Sequence, residues 1–272
     1  MRIRNIALIV VVVSAIFLMA GCSGSKNTTA VETKNTPASL NETVNKFFKE
    51  FTAEEVNWDK LYDSYWDESF KIWRCTKDTF VERNKKATFE GSIKYIDYLI
   101  GSEKDSPYGD KFKIVPVSLK YTEKGFEKTI SKDTVWVNTD KGWKCSYEQT
   151  YKSQPLIAHN PAGNKLTITP TEAIYGQKGI YLITKVTNKA GSDFSLGWTD
   201  GYNIKLIADG KTYIQHFPVQ KMPKDLDKTA TILIEGADGE ITEITLDNVY
   251  ALNPNGSLSP TIQPATLTIY KR

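Results

Sequence analysis

Apolar residues recur along the chain in two rhythms, and the change from one to the other divides it. From Leu40 the large side chains fall at Leu40, Val44, Phe47, Phe48 and Phe51, a stripe at helical spacing that must pack on something. Ser39-Leu40-Asn41-Glu42 is a capping-box pattern: the serine accepts from a free backbone N–H and the glutamate reaches back. Asn57 is placed to cap a second helix, "NWDKLYDSYWDES", with Leu61, Tyr62 and Tyr65 on its buried side, and Thr76 opens a shorter third one through Phe80 and Val81. After Ala87 the rhythm becomes that of strands. "SIKYIDYLIG", "KFKIVPVSLKY", "TVWVNT" and "GWKCSYEQ" are β-branched or aromatic runs, and "NTDKG" is a hairpin turn between the last two. Pro116 has no N–H to donate, which assigns it to an edge strand or a bulge. Helices followed by a sheet predict an α+β layout for residues 39–152.

Beyond a short linker, "KSQPLIAHNPAGN", residues 153–272 have no helical period. "NKLTITP", "GIYLITKVTN", "YNIKLIAD", "KTYIQHF", "TATILIEG", "EITEITLDNV" and "ATLTIYK" alternate as strands, with turns at Asp209-Gly210 and Asp238-Gly239. Short strands with regularly spaced turns predict an all-β domain, a β-sandwich.

The N-terminus has a third pattern. Arg2 and Arg4 precede an uncharged apolar run from Ile6 to Leu18, and Met19-Ala20-Gly21 leads to Cys22. This is the layout of a secretory signal peptide, residues 1–21. Ile6 to Ala20 falls short of the roughly 20 residues a membrane-spanning helix needs. The cysteine after small residues resembles a bacterial lipobox, although Met19 stands where that family usually has leucine. The resemblance implies cleavage before Cys22, lipidation of its sulfur with a diacylglyceryl group bearing palmitate-type chains, and residence on the extracytoplasmic face of the cell membrane. Residues 22–38 have no large apolar side chain but Val31, so they read as a solvated tether with a root-mean-square span of roughly 20–24 Å.

Composition narrows the partners. The formal net charge is +3, from 35 basic and 32 acidic residues, and the leader accounts for two of the basic ones. No basic excess remains to neutralise phosphates, which argues against nucleic acid. The membrane is then a partner only through the lipid. Cys75 and Cys145 form an even pair outside the cytosol, hence a disulfide candidate that would stabilise the fold by roughly 4 kcal/mol. Two buried thiols are the other reading.

The first half resembles the nuclear-transport-factor-2-like superfamily. The resemblance rests on "NWDKLYDSY" after an amphipathic helix and on "DKGWKC", similar to the aspartate-glycine turn and tryptophan strand of such domains. It implies helices packed on a strongly curved antiparallel sheet, a cone, and brings no catalytic set. "TKVTNKAGSDFSL" with "IADGKTYI" is similar to the immunoglobulin-like modules appended to bacterial lipoproteins, without the cysteine bridge of antibody domains.

Candidate chemistry is sparse. His159 lies in the linker and His216 in a strand, so no histidine pair has metal-ligand spacing. "GWTDG" has the glycine spacing of a nucleophile elbow but carries threonine and precedes a strand. Asp59, Asp63 and Asp67 fall four apart, the pattern of a solvated helix face with Lys71 continuing the row. Trp58, Trp66, Trp73, Trp136 and Trp143 crowd the first half against Trp198 alone in the second. They read as core, or as the aromatic lining of a pocket inside the cone.

These readings converge on a non-catalytic, lipid-anchored binding protein, without cofactor or metal, whose partner is an envelope protein or wall component. One alternative is a small-ligand carrier or enzyme with a site in the cone, where Asp97, Tyr95 and Tyr98 are candidates. Another is a structural spacer.

Overall fold

Ser39 starts the first helix as its sequence requires. Its hydroxyl accepts the Glu42 N–H at 3.3 Å while the Glu42 carboxylate accepts the Ser39 N–H at 2.8 Å, a reciprocal cap of the kind that stabilises a helix end by about 1 kcal/mol. The computed structural model describes residues 38–90, 93–157, 166–189, 191–253, 255–258 and 264–272. The leader, Cys22 and the tether lie outside them. Four helices follow in order: α1 (Leu40–Phe51), α2 (Trp58–Tyr62), α3 (Asp67–Ile72) and α4 (Lys77–Glu90). Asn57 caps α2 through its side-chain oxygen, 3.0 Å from the Lys60 nitrogen.

The chain divides into two compact units. Among the described residues, one comprises those up to Trp66 together with those of Thr76–Cys145; the other joins Asp67–Cys75 to those of Ser146–Arg272. In the first unit, β1 (Ile93–Ile100), β2 (Lys104–Asp105), β3 (Phe112–Glu123), β4 (Phe126–Thr139) and β5 (Gly142–Cys145) form an antiparallel sheet of order β1-β3-β4-β5, with β2 also on β3. Its inner face meets α1, where Phe47 stands edge-on to Trp136 at 5.5 Å and Phe51 lies 4.6 Å from Tyr95.

Pro116 lies in β3, a central strand rather than the edge its missing donor suggested. The strand tolerates it because β1 has just ended there. The register of β1 with β3 closes at Ile100 opposite Val117, and the Pro116 carbonyl accepts the Gly101 N–H at 2.8 Å. Backbone N and C=O of one strand residue point to the same side, so the absent N–H falls where the ladder has stopped.

The second unit holds β6 (Thr150–Pro155), β7 (Leu166–Gly176), β8 (Gly179–Asn188), β9 (Phe194–Leu196), β10 (Tyr202–Ala208), β11 (Lys211–Phe217), β12 (Gln220–Met222), β13 (Asp227–Glu235), β14 (Ile241–Ala251) and β15 (Ala265–Lys271). They make two antiparallel sheets, one of order β13-β8-β7-β6, the other β11-β10-β14-β9-β12 with β15 also on β14. The described start of the linker is therefore a paired strand, since Lys152–Pro155 belong to β6. Helix α3 packs with this unit: Phe70 lies 4.6 Å from Tyr147, and the buried Ser69 hydroxyl accepts the Tyr147 N–H at 2.9 Å.

These findings correct the expected fold class. The chain is not an α+β domain of helices on a curved sheet followed by a β-sandwich. Strand takes 54 % and helix 18 % of the described residues, as three antiparallel sheets with four short helices. Helical spacing overstated the helices because the segment 57–69 breaks. Its turn is pinned where Trp66 donates its N–H to the Cys145 carbonyl at 2.8 Å and the Cys145 N–H goes to Ser64 at 3.1 Å. In the other direction, the polar stretch Glu127–Asp133 extends β4, paired residue by residue with β3. Such a stretch has no apolar alternation to reveal it.

Candidate functional site

The five tryptophans of the first half do not converge. Trp136 is fully buried and donates its indole N–H to Thr134 at 2.9 Å. Trp66 meets Phe112 at 5.8 Å, with the Lys111 ammonium 5.6 Å from its ring centre. Trp73 belongs to the second unit, where its indole N–H reaches Thr150. Trp143 is half-buried on β5 and shares a cleft with Trp136, taken up below. Of the five, only Trp58 borders a depression of about 750 Å³ in the first unit.

That cleft follows from three local features. Asn57 ends the loop after α1 and places Trp58 at the first position of α2, where its ring packs edge-on against Phe51 at 5.8 Å. The last turns of α4 bring Lys85, Thr88 and Phe89 to a second wall. The third wall is the start of β1, Ile93 to Tyr95. A bulge governs this strand: the register with β3 shifts between Tyr95 and Asp97, leaving Ile96 as the extra residue. Strict alternation would put Tyr95 and Tyr98 on opposite faces. The extra residue puts both toward α1, Tyr95 against Phe51 and Tyr98 at 5.8 Å from Phe48 with its hydroxyl donated to the Asn45 carbonyl at 3.2 Å. Asp97 faces solvent, its carboxylate accepting the Tyr98 N–H at 2.8 Å. Of the three candidates on this strand, Tyr95 alone lines the cleft.

The floor is apolar, from Val56, Trp58 and Ile93, while Glu54, Glu55, Lys85 and Lys94 stand around it with both signs of charge. Burial, with the nearby Tyr121 phenol adding to it, raises the Tyr95 hydroxyl above its ordinary value. It is therefore a neutral hydrogen-bonding group at physiological pH. Phe89 is 88 % exposed beside this floor. Sequence reasoning missed it, although "KKATFE" offers a lone aromatic in a polar stretch.

The remaining candidates are scattered. Asp59 and Asp63 share Lys77, at 3.9 and 3.1 Å, but Asp67 lies beyond the break, in the other unit. Lys71 pairs with Glu68 and not with Asp67. His216 hydrogen-bonds Asn203 across β10 and β11 at 3.0 Å, and His159 lies outside the described residues. Cys75 is half-buried in the second unit and Cys145 buried in the first, both as thiols. Among the described residues no three His, Cys, Asp or Glu side chains gather as metal ligands, and no helix is long and apolar enough to cross a membrane. No family model matches the chain, and no curated protein is detectably similar to it in sequence.

Proposed function

We propose that this is a non-catalytic, lipid-anchored binding protein of the bacterial cell envelope. Lipid on Cys22 holds it at the extracytoplasmic face, and the Trp58 cleft captures an extended apolar segment of another envelope protein. The observation that carries the reading is the exposed Phe89 beside an apolar floor that adjoins β1, the outer strand of its sheet. An outer strand offers unpaired backbone groups to a further strand, and a neighbouring pocket then selects its side chain. The short tether keeps the cleft near the membrane and raises its local concentration toward membrane-bound partners.

The test is crosslinking in cells from a photoreactive phenylalanine at position 89. The expected result is one specific envelope protein, lost in Val56→Asp and lost again when Cys22→Ala removes the anchor. Recovery of no protein above background, or of proteins indifferent to Val56→Asp, would defeat the proposal. Recovery of a small apolar molecule would transfer the cleft to the ligand-carrier reading, since its size also falls within the range of roughly 300–1,000 Å³ usual for such ligands.

A further inference from the structure

We propose that a second cleft of the first unit, bordered by α1, α2 and β5, binds an anionic saccharide. It measures about 550 Å³ and shares no residue with the Trp58 cleft, so it stands independently of the function proposed above.

Its apolar side is aromatic, with Phe47 and Trp136 buried and Trp143 half-buried on β5. The indole N–H of Trp136 is already spent on Thr134, whose hydroxyl is donated onward to the Val115 carbonyl at 2.7 Å. Trp136, fully buried, offers a ligand no ring face, and Trp143 is the indole within reach of one. The negative face of an aromatic ring attracts the polarised C–H groups on one face of a sugar, and the Trp143 indole beside the cleft favours that over a thin aliphatic chain.

Its polar side carries four amines, Lys46, Lys60, Lys141 and Lys144, against two carboxylates, Glu42 and Glu50. Both acids have partners within the protein, although Glu42 keeps its charge. Glu50 pairs with Lys60, and Glu42 closes the helix cap, where the backbone N–H and hydroxyl of Ser39 hold its carboxyl below its ordinary range. Lys144 donates to the Asp63 carbonyl at 2.7 Å, a neutral partner that leaves its charge uncompensated. Lys46 and Lys141 have no carboxylate within ion-pair distance among the described residues. Four lysines against two carboxylates leave this lining net positive beside the Trp143 ring, the complement of a ligand that joins a sugar ring to a phosphate or carboxylate.

The experiment titrates the full chain, in detergent, with glucose 6-phosphate, glucuronate, glucose and inorganic phosphate at constant ionic strength, following heat by calorimetry. At least one anionic sugar is expected to bind about tenfold more tightly than glucose and inorganic phosphate alike. Phosphate or carboxylate as the preferred group is read from the first two titrations. Lys46→Met and Lys141→Met should each weaken that sugar about fivefold or more, and Trp143→Ala likewise, with Lys85→Met at the other cleft without effect. Trp143→Phe, which keeps a ring, should retain most of the affinity and guards against loss of β5 in the alanine variant. Inorganic phosphate binding as well as glucose 6-phosphate, or no binding by either anionic sugar, would overturn the proposal.

Discussion

Trp73 donates its indole N–H to the Thr150 hydroxyl at 2.7 Å, across 77 positions of sequence. Thr150 is fully buried, and the same indole meets Tyr181 edge-on at 5.2 Å. The bond ties the residue just after α3 to β6 within the second unit. Trp73→Phe keeps a ring and removes the donor, leaving a buried hydroxyl without it. It should cost about 1–3 kcal/mol in urea unfolding. Adding Thr150→Val should return part of that loss, since an apolar pair leaves nothing unsatisfied.

The bulge at Ile96 makes a sharper prediction. Deleting this residue leaves Tyr95 and Tyr98 two positions apart in a continuous register with Tyr121 and Leu119, so strict alternation keeps both toward α1. The deletion should therefore cost less than about 2 kcal/mol, through loss of the local bend alone, and Ile96→Ala, at a partly exposed side chain, should stay within about 1 kcal/mol. Thermal unfolding of the two variants separates the bend from side-chain burial.

Gly179 begins β8 at φ +140°, where an added Cβ would run into the Ile234 carbonyl oxygen on the neighbouring strand. Backbone cannot yield as a flexible side chain can. Gly179→Ala should therefore lose about 3 kcal/mol or more. Gly125, in the β3–β4 turn at φ +84°, has open space around its Cβ position, and Gly125→Ala should cost only about 1 kcal/mol. Equal losses in the two variants would show that the clash at Gly179 relaxes.

Stability should fall at alkaline pH. Burial pushes the Cys145 thiol from 9.0 up to about 12, and the Tyr202 phenol from 10.0 up to about 12. Tyr175 rises equally, through burial first and then the Glu240 and Asp209 charges. Each folded value lies above its unfolded one, so the unfolded chain ionises first. Their contribution is intact below pH 9 and is lost as pH climbs toward 12. Urea midpoints measured from pH 8 to 11 should decline only above 9. At pH 8 the Cys145 thiol of the native chain should react with a disulfide reagent at least about 100-fold more slowly than in denaturant. If denatured, unreduced chain showed no reactive thiol, Cys75 and Cys145 would be bridged and the thiol part of this titration would vanish.

What could be read in advance was local. The Ser39–Glu42 cap, the Asn57 cap and the Asp209-Gly210 turn each depend on a few neighbouring residues, and each stands in the structure. The break after Ser64 was hidden because Cys145 decides it, a partner far along the chain. The bulge at Ile96 was hidden too, since a bulge exists only relative to the opposite strand. For the Trp58 cleft, the tryptophan and Tyr95 were among the candidates, but their company of Val56 and Phe89 depends on how α4 returns to β1. Tryptophan count was a poor guide because it registers burial and not direction.

Helix α3 carries one more consequence, for how this protein can be taken apart. Asp67–Cys75 completes the unit built mainly from Ser146–Arg272, so neither unit is an uninterrupted stretch of sequence. A gene cut at residue 152 would leave Phe70 and Trp73 with Tyr147 and Thr150 on the first fragment, parted from Tyr181 and most of their unit on the second. On the ribosome, the α3 segment emerges long before Tyr181 and must wait for it. Dissection into working pieces will need a transplanted helix, not a pair of scissors.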